Sequence, residues 1–80
     1  MNKSLLLSEV QNIMRDVLDE PEIVLTETTT ANDVEGWDSL THIQLIVAIE
    51  KHFKIRFNSN EILSWKNIGE MIDAIFSKLS

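Results

Sequence analysis

Apolar residues recur along this chain with helical rather than strand spacing. Leu6, Val10, Ile13, Met14, Val17 and Leu18 fall at steps of three and four, which predicts a first helix with one apolar face. Pro21 ends it, because proline offers no N–H and restricts the residue before it. A second helix is predicted from about Ser39 to Phe53. Its Leu40, Ile43, Ile46, Val47, Ile49 and Phe53 give more apolar surface than one narrow stripe needs. Part of that surface should face a core, with one edge left exposed. Ile55 and Phe57 then flank Arg56 in a short extended piece. Asn58-Ser59-Asn60-Glu61 has the spacing of a capping box and opens a short third helix, with Ile62, Leu63 and Trp65 as its expected burial. Asn67-Ile68-Gly69-Glu70 repeats the signal for a last helix, striped by Ile68, Met71, Ile72, Ile75 and Leu79.

Between Pro21 and Asp38 the pattern lapses. Thr26, Thr28, Thr29 and Thr30 are β-branched and make this stretch a poor helix. Ile23, Val24 and Leu25 are its expected anchors, and Val34 tucks in later. A connection of this length is unusual in a small bundle and must cross the domain. Gly36 suits a tight turn, and Asp38 is placed to cap the helix that follows. The expectation is all-α: a four-helix bundle with a long loop between helices 1 and 2 and a short helix 3, one domain over residues 1–80.

Composition narrows the function. The chain is 44% hydrophobic and 25% charged, a globular balance. It has no cysteine, hence no disulfide, thiolate ligand or cysteine nucleophile, and His42 and His52 lack zinc-ligand spacing, so no metal is expected. Leu5-Leu6-Leu7 is too short for a signal-peptide core or a span, which leaves a cytoplasmic protein with no membrane insertion. The net charge of −6 argues against nucleic acid. That charge is uneven: residues 1–38 hold two bases against nine acids, net −7, while residues 39–80 hold five against four, net +1. Such a field can steer basic partners to the first half, or simply keep the chain soluble.

Gly36-Trp37-Asp38-Ser39-Leu40 puts one hydroxyl, Ser39, in the first turn of a helix, where unpaired N–H groups and the macrodipole favour an anion. From the residues alone three readings stand. Ser39 is an ordinary helix-start serine; or Asp38, Ser39 and His42 form a hydrolytic set; or Ser39 is a point of covalent attachment. Adjacent Asp38 and Ser39 diverge by about 100° around a helix, and nothing supplies an oxyanion hole, so a catalyst is not expected and His42 reads as surface or partner-facing.

With Gly36 and Trp37 before Asp-Ser-Leu, an apolar helix after it, and Ala48, Glu50 and Phe53 following, the chain resembles the acyl carrier protein family. The resemblance spans nearly the whole chain. It implies a non-enzymatic carrier with 4'-phosphopantetheine, derived from coenzyme A, on Ser39 as a phosphodiester. Asp38 and Leu40 flank the attachment, and acyl groups ride as thioesters on the arm's thiol. It implies a holo-carrier-protein synthase (phosphopantetheinyl transferase) and acyl-loading and acyl-transfer enzymes as partners of a monomer. Fatty acid and polyketide biosynthesis are the settings the family suggests. Asp38 would also turn the charged arm outward, and Leu40 reads as core, with contact to the transferase as its alternative. Ile43 and Val47, four apart, are either a small contact patch or core packing. Glu35, Asp38 and Glu50 are candidate acidic contacts, and Trp37 either shields the base of the arm or packs the loop. Met14, Met71 and the branched aliphatics would make a deformable core able to admit cargo.

The resemblance thins on helix 2. Acids common among fatty acid carriers are absent at Thr41 and Gln44, and Lys51 replaces another. The sequence looks more like stand-alone carriers of specialised pathways, with aminoacyl, peptidyl or D-alanyl cargo as the alternatives. A small helical interaction module that needs no modification is the rival from another class.

Overall fold

The computed structural model describes residues 2–79 and has four helices in the expected order: α1 (Lys3–Val17), α2 (Ser39–Phe53), α3 (Ser59–Ser64) and α4 (Ile68–Leu79). A 3-10 turn, Ala31–Asp33, interrupts the long connection between α1 and α2. The core is built from three helices. Leu6, Val10 and Met14 of α1 meet Leu45, Ile46 and Ile49 of α2, and Ile68, Met71, Ile72 and Ile75 of α4 complete it. Removing this apolar surface from water is the main force holding the bundle. The helix α3 has no fully buried residue and leans on the core through Ile62.

The long connection crosses the bundle, and its backbone bonds explain how. The Leu25 N–H donates to Gln11 Oε1 at 2.8 Å, and Arg15 Nε donates to the Ile23 carbonyl at 2.7 Å, tying the loop to α1. Further on, Ile68 N–H donates to the Thr29 carbonyl and Gly69 N–H to that of Glu27, at 2.9 and 2.8 Å. The loop thereby satisfies donors at the start of α4 that would otherwise be orphaned. Gly69 allows it: a Cβ there would lie 2.9 Å from the Glu27 carbonyl oxygen.

Several expected burials differ. Ile23, Leu25 and Val34 anchor the loop as read, but Val24 points outward, since alternation in an extended segment sends neighbours to opposite sides. Leu63 is 82% exposed, because a helix of six residues has one inward face and Ile62 takes it. Leu79 lies at the exposed end of α4. Leu45, absent from the predicted stripe, is buried, which turns the inner face of α2 toward Leu45, Ile46 and Ile49. No helix among the described residues is long and apolar enough to cross a membrane.

Candidate functional site

The start of α2 is built by a run of short-range hydrogen bonds. Gly36, at φ 88°, takes a left-handed turn that a side chain would strain, and Trp37 N–H donates to the Val34 carbonyl at 3.2 Å. Asp38 is the N-cap: its Oδ1 accepts the N–H groups of Leu40 and Thr41, each at 3.0 Å. In return Asp38 N–H donates to Thr41 Oγ1 at 2.7 Å, and that hydroxyl donates to the Gly36 carbonyl at 2.8 Å. Thr41 thus closes a capping box that the sequence reading passed over, although Asp-x-x-Thr spacing is its signal. These bonds, the Thr41 N–H first among them, hold the Asp38 carboxyl below its ordinary pKa.

Ser39 is the first residue of the helix and is exposed. Its hydroxyl stands on backbone fixed from both sides, where an enzyme can reach it. The expected welcome for an anion needs correction in one respect. The Leu40 and Thr41 N–H groups are already taken by Asp38, so a phosphate on Ser39 would meet a carboxylate rather than two free donors.

Beside Ser39 lies a cleft of about 320 Å³, lined by Trp37, Asp38, His42, Trp65 and Lys66. Its walls are tied together. Trp37 Nε1 donates to His42 Nδ1 at 3.1 Å, and the two rings lie 5.8 Å apart. Trp65 meets His42 edge-on at 6.3 Å and Phe57 edge-on at 4.9 Å. This aromatic chain fastens loop, α2 and α3, and no periodic pattern of residues signals it. Burial lowers the His42 pKa, with the Ile62 backbone pulling it the other way. Accepting from Trp37, His42 is a half-buried strut between the loop and α2, where a surface or partner-facing residue was expected. With Nδ1 engaged by Trp37 it is also poorly placed to serve Ser39 as a base.

The outer face of α2 carries Leu40, Ile43 and Val47, which are 67%, 60% and 44% exposed. The core role expected of Leu40, and the core alternative for Ile43 and Val47, do not hold, because Leu45, Ile46 and Ile49 occupy the inner face. Glu35 is exposed near the helix start. Glu50 is half-buried, and its Oε2 accepts the Phe57 N–H at 2.8 Å, which makes it a strut of the following turn.

The start of α2 thus combines an exposed hydroxyl on a capped turn, an open cleft beside it and an exposed apolar stripe alongside. Comparison with known proteins identifies the family. Residues 8–75 match the family described as "Phosphopantetheine attachment site". The acyl carrier protein of Thermosynechococcus vestitus is 33% identical over 81 residues, covering 100% of this chain and 99% of the relative. That of Cyanidium caldarium is 31% identical, covering 100% and 93%. The solution structure of holo acyl carrier protein from Geobacter metallireducens superposes with a TM-score of 0.86 at 45% identity, covering 91% of this chain and 84% of that one. The chain belongs to the acyl carrier protein family, phosphopantetheine-bearing carriers rather than catalysts.

Proposed function

We propose that Ser39 Oγ is the attachment atom for the 4'-phosphopantetheine group. The supporting observation is its position: exposed, first in α2, and held on a capped turn. Ser39 Oγ displaces the nucleotide portion of coenzyme A at phosphorus, an O–P bond forming as the pyrophosphate O–P bond breaks. The transferase takes the hydroxyl proton, since His42 is committed to Trp37. When attached, the group supplies the thiol that this cysteine-free chain lacks and bears the acyl cargo there. Asp38, whose carboxylate caps the same helix start, would disfavour a phosphodiester folding back onto the helix. Leu40 and Trp37 flank the attachment point on either side.

Membership of the family implies interaction with a phosphopantetheinyl transferase and with acyl-handling enzymes. We assign their docking to Leu40, Ile43 and Val47, with Glu35 and Asp38 as charged contacts near Ser39 and Glu50 contributing only its second oxygen. Tethering then raises the effective concentration of cargo at successive enzymes. Thr41, Gln44 and Lys51 favour a stand-alone role in a specialised pathway over fatty acid synthesis. The 80 residues act as one carrier unit, a cytoplasmic monomer whose net charge of −6 opposes self-association. Intact mass after incubation with coenzyme A and a broad-specificity transferase tests the assignment. One phosphopantetheine per chain is expected, and none on Ser39→Ala. Full modification of the Ser39→Ala protein would overturn it.

A further inference from the structure

The two ends of α2 differ in charge as well as in position. Around its start lie Glu35 and Asp38; in its last turn lies Lys51, with Lys54 at the C-cap and Arg56 just beyond. All three cations are exposed, and among the described residues none of them is in an ion pair. With Val47, Glu50 and Ile55 they line a cleft of about 420 Å³.

The backbone beneath this cluster is fixed. Lys54 ends the helix in the left-handed region at φ 60°, ψ 46°, its N–H returning to the Glu50 carbonyl. The Ile55 N–H also donates to that carbonyl, at 3.1 Å. Glu50 Oε2 holds the Phe57 N–H, so the one acid in the cleft is already engaged. The cations project from a settled turn, and holding them in place costs a partner little beyond side-chain ordering. Val47 belongs both to this cleft and to the exposed stripe with Leu40 and Ile43, so the two surfaces are continuous.

We infer that this end of α2 is a docking site for carboxylates on an acyl-handling protein. The partner lays an apolar ridge on Ile43 and Val47 and places aspartates or glutamates against Lys51, Lys54 and Arg56. The inference rests on the carrier reading of Ser39. Lys51 stands about 18 Å along the helix axis from Ser39, at 1.5 Å per residue. Acids at one end of the stripe and bases at the other give a partner one favoured direction of approach. Complementary charge sets register and encounter rate more than it sets affinity. A partner that reads α2 only through basic residues would meet repulsion at this end.

The test uses the full chain, labelled with ¹⁵N, and two synthetic amphipathic helical peptides. Both carry leucines at i, i+3 and i+7; one ends in three glutamates, the other in three lysines. The glutamate peptide is expected to shift the amide signals of Val47, Lys51, Lys54 and Ile55 and to bind about tenfold more tightly than the lysine peptide. That preference should fade by about 0.3 M salt, where screening is strong. It should reverse in the K51E/K54E/R56E variant, whose folding is checked from its own amide spectrum. Equal or tighter binding of the lysine peptide, no binding of either, or shifts confined elsewhere would overturn the inference. So would binding to vesicles of phosphatidylcholine and phosphatidylglycerol without peptide discrimination. Modification of Ser39 is measured on the same samples. If it proceeds normally while the peptides fail, only the docking inference falls; if it fails, the carrier reading falls.

Discussion

The starts of α2 and α4 use the same local chemistry and reach opposite ends. Asp38 caps one and Asn67, whose Oδ1 accepts the Glu70 N–H at 3.0 Å, caps the other. At α4 the long loop then comes down on the helix. Ile68 is fully buried, and the Thr29 and Glu27 carbonyls take the first N–H groups. At α2 nothing comes down. Asp38, Thr41 and Gly36 satisfy one another locally, and Ser39 is left in the open. A helix start completed by tertiary contacts is closed to enzymes. One completed by its own residues can present a side chain without loss of order. Ser39 and Asn67 line the same cleft, so the open and closed starts are neighbours.

This contrast can be broken from the closed side first. Gly69→Val pushes a Cβ against the Glu27 carbonyl and should cost about 2–3 kcal/mol, in the range for overpacking. Urea unfolding checks it, and an unchanged midpoint would mean that the loop does not seal α4. Asn67→Ala removes one cap and should cost about 1 kcal/mol by the same assay. His42, between the two starts, gives a pH signature. Burial lowers its folded pKa below the ordinary 6.5, so the unfolded chain takes up the proton first. Stability from this group is complete above the unfolded pKa and is lost as pH falls through the folded one. The wild type should therefore lose more stability on mild acidification than His42→Gln does; equal slopes would remove His42 from the account. Asp38→Ala removes the α2 cap and should cost about 1 kcal/mol, as Asn67→Ala does, together with slower modification by the transferase. A variant unchanged in both would show that the cap does not position Ser39.

Much of this was legible in the sequence, for definite reasons. The stripes of α1 and α4 repeat at helical steps, so their buried faces could be read directly; Ile13, Val17 and Leu18 stop half-buried beside the α1 core face, and Leu79, on the last turn of α4, is exposed. The bounds of α2 follow from Asp38 at one end and the loss of pattern after Phe53 at the other. The orientation of α2 was harder. Apolar residues surround much of it, and only the packing of α1 and α4 selects Leu45, Ile46 and Ile49 as the inner face. The tie from Trp37 through His42 ends on Trp65, 23 residues beyond His42 in the chain, and no local pattern announces that contact. Likewise, the loop carbonyls that close α4 are backbone atoms, invisible in residue identities except through the need for glycine at 69.

The most direct measurement is tandem mass spectrometry on peptides of the transferase-treated protein, locating the added mass to a residue. Ser59 is the natural internal control, since it too is an exposed first residue of a helix, behind the Asn58 cap. The account predicts the phosphopantetheine on Ser39 alone. Its appearance on Ser59, or shared between the two, would contradict the claim that the open start of α2 is what makes this chain a carrier.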